Sequence, residues 1–175
     1  MRTKSKRFFL AAALLAAHAV ACLADATTQV TLTLASNGKP AATIVTAQQP
    51  TRAAQFAACE LQWHLKQITG GDFRIVAEDQ PIDGPAILVG DSRRVQAMGI
   101  QPEQFAKQEY LIRFTPDALM LVGRDKDDRG VVQYTHTPDQ QALDTWPSIW
   151  DEQGTMYAVY DFLERYCNVR WFNPT

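Results

Sequence analysis

The chain has 175 residues, with 17 Lys and Arg against 19 Asp and Glu, a formal charge of −2. Four basic residues and no acidic ones lie at the extreme N-terminus, so the remainder of the chain is mildly acidic. That balance argues against nucleic acid and anionic membrane surfaces as partners.

Arg2, Lys4, Lys6 and Arg7 form a basic opening, Phe8 to Leu23 is apolar and rich in Ala and Leu, and small residues follow at Ala24 and Ala26. This is the pattern of a secretory signal peptide over residues 1–24, and its apolar stretch is too short for a membrane span. Ala19-Val-Ala-Cys22 offers a second reading, a lipoprotein cleavage site anchored at Cys22, but it lacks the large aliphatic residue three places before the cysteine. Residues 25–175 then carry 13 basic and 19 acidic side chains, a charge of −6, on a length suited to one domain with its own core. An exported compartment permits a disulfide between Cys59 and Cys167. Both fall on predicted helices, where a lone cysteine is more often a small buried hydrophobe.

Gln29 to Leu34 alternates apolar and polar residues as a half-buried strand does, and Ser36-Asn37-Gly38-Lys39 is a hairpin turn that makes Ala41 to Val45 the return strand. Thr51 is the expected N-cap of a helix that runs to Thr69 and ends at Gly70-Gly71. Ala54, Ala58, Leu61, Leu65 and Ile68 mark its core face, with Phe56, Cys59 and Trp63 nearly opposite. That second stripe is either covered by a loop of the same chain or offered to another domain. Strands are expected at Phe73 to Val76 and Ala86 to Val89, and a short helix at Ser92 to Met98. Glu109 to Phe114 and Ala118 to Val122 form a hairpin around Thr115-Pro116-Asp117. Gly123 to Gln153 reads as a long polar loop, functional or partly mobile. A helix from Gly154 to Cys167 follows, then a left-handed turn at Asn168 and an aromatic strand from Val169 to Phe172. The order predicts an α/β domain around a mixed sheet. A domain seldom stops just after such a strand, so the chain reads as the front of something longer.

The chemistry-bearing residues do not assemble into a known site. His64 and His136 lack partners at metal-ligand spacing, and His64 is expected at the surface. Asp125 to Gly130 faintly resembles a calcium loop, but His136 stands where the bidentate Glu belongs, so a solvated acidic turn is preferred. Gly90-Asp91-Ser92 between strand and helix has Arg94 where a nucleophile elbow needs Gly, and Asp91 or Ser92 suffices as an N-cap. Asp151-Glu152 are neighbours near a helix start, where the macrodipole accounts for them as well as glycosidic chemistry would. No catalytic residue, metal ligand or cofactor site is assigned. The residues suited to stacking on a sugar are Trp146, Trp150 and Trp171, with Arg170 beside the last.

Ala57-Ala58-Cys59-Glu60-Leu61, Ala86-Ile-Leu-Val-Gly90, Glu109-Tyr110, Leu119-Met-Leu-Val-Gly123, Gly154-Thr-Met-Tyr-Ala-Val-Tyr-Asp-Phe-Leu-Glu164 and Val169-Arg-Trp-Phe-Asn-Pro174 occur in that order. The set resembles the N-terminal α/β domain that precedes the catalytic (β/α)8 barrel in α-glucuronidases and β-N-acetylhexosaminidases. It is nearest to a related group of large secreted bacterial proteins of glycosidase type. The resemblance spans about Ala41 to Thr175. It implies a mixed sheet with two main helices packed on it, acting as an accessory domain whose partner is the barrel of the same parent chain. Catalytic carboxylates would then lie beyond this sequence, and Phe56, Cys59 and Trp63, or the C-terminal strand, would dock on the barrel. The alternative is a free-standing glycan-binding or interaction module that uses Trp146 and Trp150 on a polysaccharide or oligosaccharide.

Overall fold

The structure is a computed structural model that describes residues 31–171. Residues 1–30, which hold the expected signal peptide and Cys22, and the stretch from Phe172 onward lie outside the described residues. A small hairpin, β1 (Ala35–Ser36) and β2 (Lys39–Pro40), precedes a five-stranded sheet. The sheet comprises β3 (Thr43–Thr46), β4 (Ile75–Ala77), β5 (Ala86–Val89), β6 (Tyr110–Phe114) and β7 (Ala118–Gly123), in the order β4-β3-β5-β7-β6. The first four strands of that order pair in parallel, and β6 runs antiparallel to β7. Among the described residues four α-helices complete the α/β fold: α1 (Arg52–Thr69), α2 (Arg93–Ala97), α3 (Gln140–Leu143) and α4 (Gly154–Cys167).

Every residue of the three central strands β3, β5 and β7 is buried, which is why they read as near-continuous apolar runs rather than alternating ones. Alternate side chains serve two different cores. Ile44, Ile87, Val89, Leu119 and Leu121 face α1 and α4, meeting Ala58, Leu61, Leu65, Phe162 and Leu163. Val45, Leu88, Met120 and Val122 point the other way, against Val95 of α2 and Ile100. The two large helices therefore share one face of the sheet. The short α2 and the crossing segment around Ile82 cover the other.

The caps agree with the sequence where the signal is local. Thr51 accepts a hydrogen bond from the Ala54 N–H, Ser92 from Val95, and both Gly70 and Asn168 adopt left-handed backbone at helix ends. The hairpin departs from expectation. Asn37 and Gly38 both take positive φ, closing a two-residue turn, but the returning strand is only Lys39–Pro40. The Leu34 carbonyl accepts from both Ala41 and Ala42, which ends the ladder, and Thr43–Thr46 becomes a central strand of the main sheet. Thr31 to Leu34 form no ladder, and Gln29 and Val30 lie outside the described residues.

Val169 to Trp171 are not a strand either. The Asn168 and Val169 N–H groups both return to the Leu163 carbonyl, and Arg170 Nη1 donates to Glu164 O at 3.0 Å, so this tail closes the last turn of α4. Ile68, expected in the core, is 49% exposed, and Ala53 and Ala57 are buried in the helix instead.

Candidate functional site

Strands β3 and β5 are neighbours, yet the chain leaves them on opposite faces: β3 leads into α1 and β5 into α2. At such a switch point the segments beyond the strand ends splay apart and leave a crevice. Here it is a cavity of about 440 Å³ lined by residues that follow β3, β5 and β7, together with Pro102, Glu103 and Glu152.

Close backbone approach shapes its floor. Gly90 ends β5 at φ +77, and a Cβ there would lie 2.6 Å from the Ala54 Cβ of α1. A Cβ on Gly123 would lie 2.0 Å from the Gly154 carbonyl carbon, so α4 starts directly against the end of β7. Gln153 offers α4 no side-chain cap. Asp125 supplies the missing partner from the β7 loop: Oδ1 accepts from the Thr155 N–H at 2.9 Å and Oδ2 from the Thr51 hydroxyl at 2.9 Å. One carboxylate thus joins the N-termini of both large helices. Burial raises its pKa above the ordinary carboxylate range despite these bonds. Asp91 is raised as well, first by burial and then by the nearby Glu103 and Glu78 charges, against an opposing Gln96 hydrogen bond and Arg129.

The loop's two ends are laced together above this floor. Arg124 pairs with Glu152 at 2.8 Å, Lys126 with Asp151 at 3.0 Å, and Asp125 bridges Gln153 in antiparallel fashion. The Asp151-Glu152 pair is thereby committed to bracing the loop. Asp128 accepts from the Gly130 N–H and from Arg52, which together hold its carboxyl below the usual range. Asp127 pairs with Arg129 at 2.6 Å. Among the described residues no group of three or more His, Cys, Asp or Glu gathers around one point.

A second locus is aromatic and lies on α1. Phe56 is 6% exposed because Tyr134 and Trp146 pack edge-on against it at 5.3 and 4.7 Å. The outer stripe of α1 is therefore covered by the chain's own loop at this position, and Phe56 offers no free docking surface. Trp63 remains 36% exposed, with His64 and His136 at 4.6 and 4.5 Å, and His64 continues the array to Trp171 at 5.2 Å. His64 was expected at the surface, but its side chain is only 14% exposed between these rings and beside Glu60. Burial lowers its pKa, and Glu60 opposes that in part. Glu60 also accepts from the Tyr134 and Tyr160 hydroxyls, both of whose pKa values are raised by burial and by this carboxylate.

The sugar-stacking set is divided by the fold. Trp146 is half-buried and donates its Nε1–H to the Gln133 carbonyl at 2.9 Å. Trp150 is 88% exposed beside Ile149 at the loop tip. Trp171 belongs to the α1 cluster, packing on Tyr160 and His64, and Arg170 is exposed but engaged with the end of α4. Cys59 and Cys167 are free thiols, both raised by burial, Cys167 to about 11.

Sequence reasoning missed Asp91, Glu103 and Asp125 as members of one crevice. The local signal was thin: a Gly-Asp-Ser after a strand, and a helix at Gly154 with no capping residue before it. Compared with known proteins, the chain matches no family model and no curated protein.

Proposed function

We propose that residues 25–175 are a non-catalytic N-terminal accessory domain of an exported, secreted or periplasmic, carbohydrate-active protein. A (β/α)8 barrel of the same parent chain would hydrolyse the glycosidic bonds. The fold we propose is the second-domain type found in β-N-acetylhexosaminidases, which the mixed sheet with two large helices on one face suits. The observation that carries the proposal is the half-exposed aromatic face of Trp63, His136 and Trp171. It is held by α1, the long loop and the tail of α4, and it offers the flat apolar area that a packed neighbour would cover. The ion pairing of Asp151 and Glu152 supports it, since the one adjacent carboxylate pair singled out by sequence is spent on structure.

The test is Trp63→Ser in the full-length protein. Loss of thermal stability together with hydrolytic activity is expected; unchanged values for both would remove docking from this face. Among the described residues no helix is long and apolar enough to cross a membrane.

A second reading, a free-standing glycan-binding module, is favoured by Trp150, whose ring is almost wholly open to solvent. Tryptophan fluorescence titrated with polysaccharides separates the two, because a pure docking domain gives no saturable change.

A further inference from the structure

We propose that the crevice at the carboxyl ends of β3, β5 and β7 binds a small hydroxylated ligand that carries a positive charge, of the size of an amino sugar. The location follows from topology: a switch point between β3 and β5 is where open parallel sheets leave room for ligands. The cavity, about 440 Å³, lies within the range of small-molecule sites. Nine of its eleven lining residues carry polar side chains, Pro102 and Gly123 being the exceptions, so a ligand with polar groups can be matched around it.

Charge sets the rest. The three cations at the crevice are each held by a carboxylate: Arg124 by Glu152 at 2.8 Å, Lys126 by Asp151 at 3.0 Å and Arg129 by Asp127 at 2.6 Å. Asp91, Glu103 and Asp125 have no ion-pair partner among the described residues. An anionic ligand would meet cations that are already paired and the carboxylates of Asp91 and Glu103, which no cation among the described residues pairs with, while Asp125 stays engaged with Thr155 and Thr51; this disfavours phosphates and uronates. Burial is the main reason both Asp91 and Asp125 are raised; the Glu103 charge adds to the burden on Asp91 and the Asp91 charge to that on Asp125, and an ammonium group would relieve both. The volume far exceeds one metal ion, and the acids do not converge on a single point. Hydroxyl groups on the ligand would find acceptors in the carboxylates and donors in the paired guanidinium groups.

The experiment is titration calorimetry of the secreted chain with glucosamine, glucose, N-acetylglucosamine and glucuronate at equal ionic strength. Saturable binding of glucosamine is expected, at least tenfold tighter than glucose or N-acetylglucosamine, with none for glucuronate. Asp91→Asn and Glu103→Gln should each weaken glucosamine at least fivefold, while Asp72→Asn at the opposite end of the strands should leave it unchanged. Glu103 is exposed on a short turn, so its amide variant folds and keeps the test decisive if Asp91→Asn lowers stability. Absence of saturable glucosamine binding, equal affinity for glucose or glucuronate, or wild-type affinity in the Glu103→Gln variant would each overturn the proposal. The outcome is independent of whether the domain serves a glycosidase.

Discussion

The sheet with α1 and α4 and the segment from Arg124 to Gln153 are held by different physics. The first interlocks aliphatic and aromatic side chains such as Ile44, Leu119 and Phe162, with close backbone contact at Gly123 and Gly154. The second has few buried apolar groups, Ala142 among them, and is fixed by side chains that reach to backbone. Arg52 donates to the Thr145 carbonyl at 2.7 Å and pairs with Asp128 at 3.0 Å. Gln55 brackets the same segment, donating to Gly130 O at 2.8 Å and accepting from the Val132 N–H at 3.1 Å. Dispersion and apolar burial escape charge screening and do not titrate, while ion pairs and charge-assisted hydrogen bonds weaken as salt screens them and as their partners change protonation. The core should thus fail all at once and the loop piecemeal.

The largest test of that contrast is Gly123→Ala. A Cβ at 2.0 Å from backbone has no flexible neighbour to push aside, so the variant should not yield folded protein, as read by circular dichroism. Arg52→Ala sharpens the other side. It should cost about 2 kcal/mol, on the scale of hydrogen bonds to charged groups. Limited proteolysis should detect the loss between Asp128 and Trp146, with the sheet core intact.

One partly buried group on α1 titrates. Burial disfavours the charged form of His64, so its folded pKa lies below the unfolded value of about 6.5. The unfolded chain takes up the proton first, and stability falls as pH drops below about 6.5. Melting temperatures of His64→Gln and wild type should therefore converge on going from pH 7 to 5; parallel curves would place His64 outside this account. The smallest effect is Trp150→Ala, within about 0.5 kcal/mol by urea unfolding, because the ring touches little of the fold.

The same division decides how much is legible from sequence. α4 reads at its observed bounds, Gly154–Cys167, and α1 with its caps, because periodicity and capping residues lie within a few positions of each other. The β6–β7 hairpin is legible for the same reason. The return strand of the first hairpin and the strand after Asn168 are not. Whether β-prone residues pair depends on which backbone groups are already spent, and here the Leu34 and Leu163 carbonyls have taken them. The crevice is legible least. Asp125 caps a helix 30 residues away, and Asp91 and Glu103 approach it only because β3 and β5 send the chain to opposite faces. Trp146 shows the limit from the other side: a tryptophan in a polar loop suggests a ligand, but its ring is packed on Phe56.

The intact mass of the mature protein from its native source tests the central claim most directly. A species several-fold heavier than this chain and containing its peptides is predicted, and would make the domain the front part of a larger carbohydrate-active protein. A species equal in mass to residues 25–175 would contradict the accessory role and leave the free-standing glycan-binding module in its place.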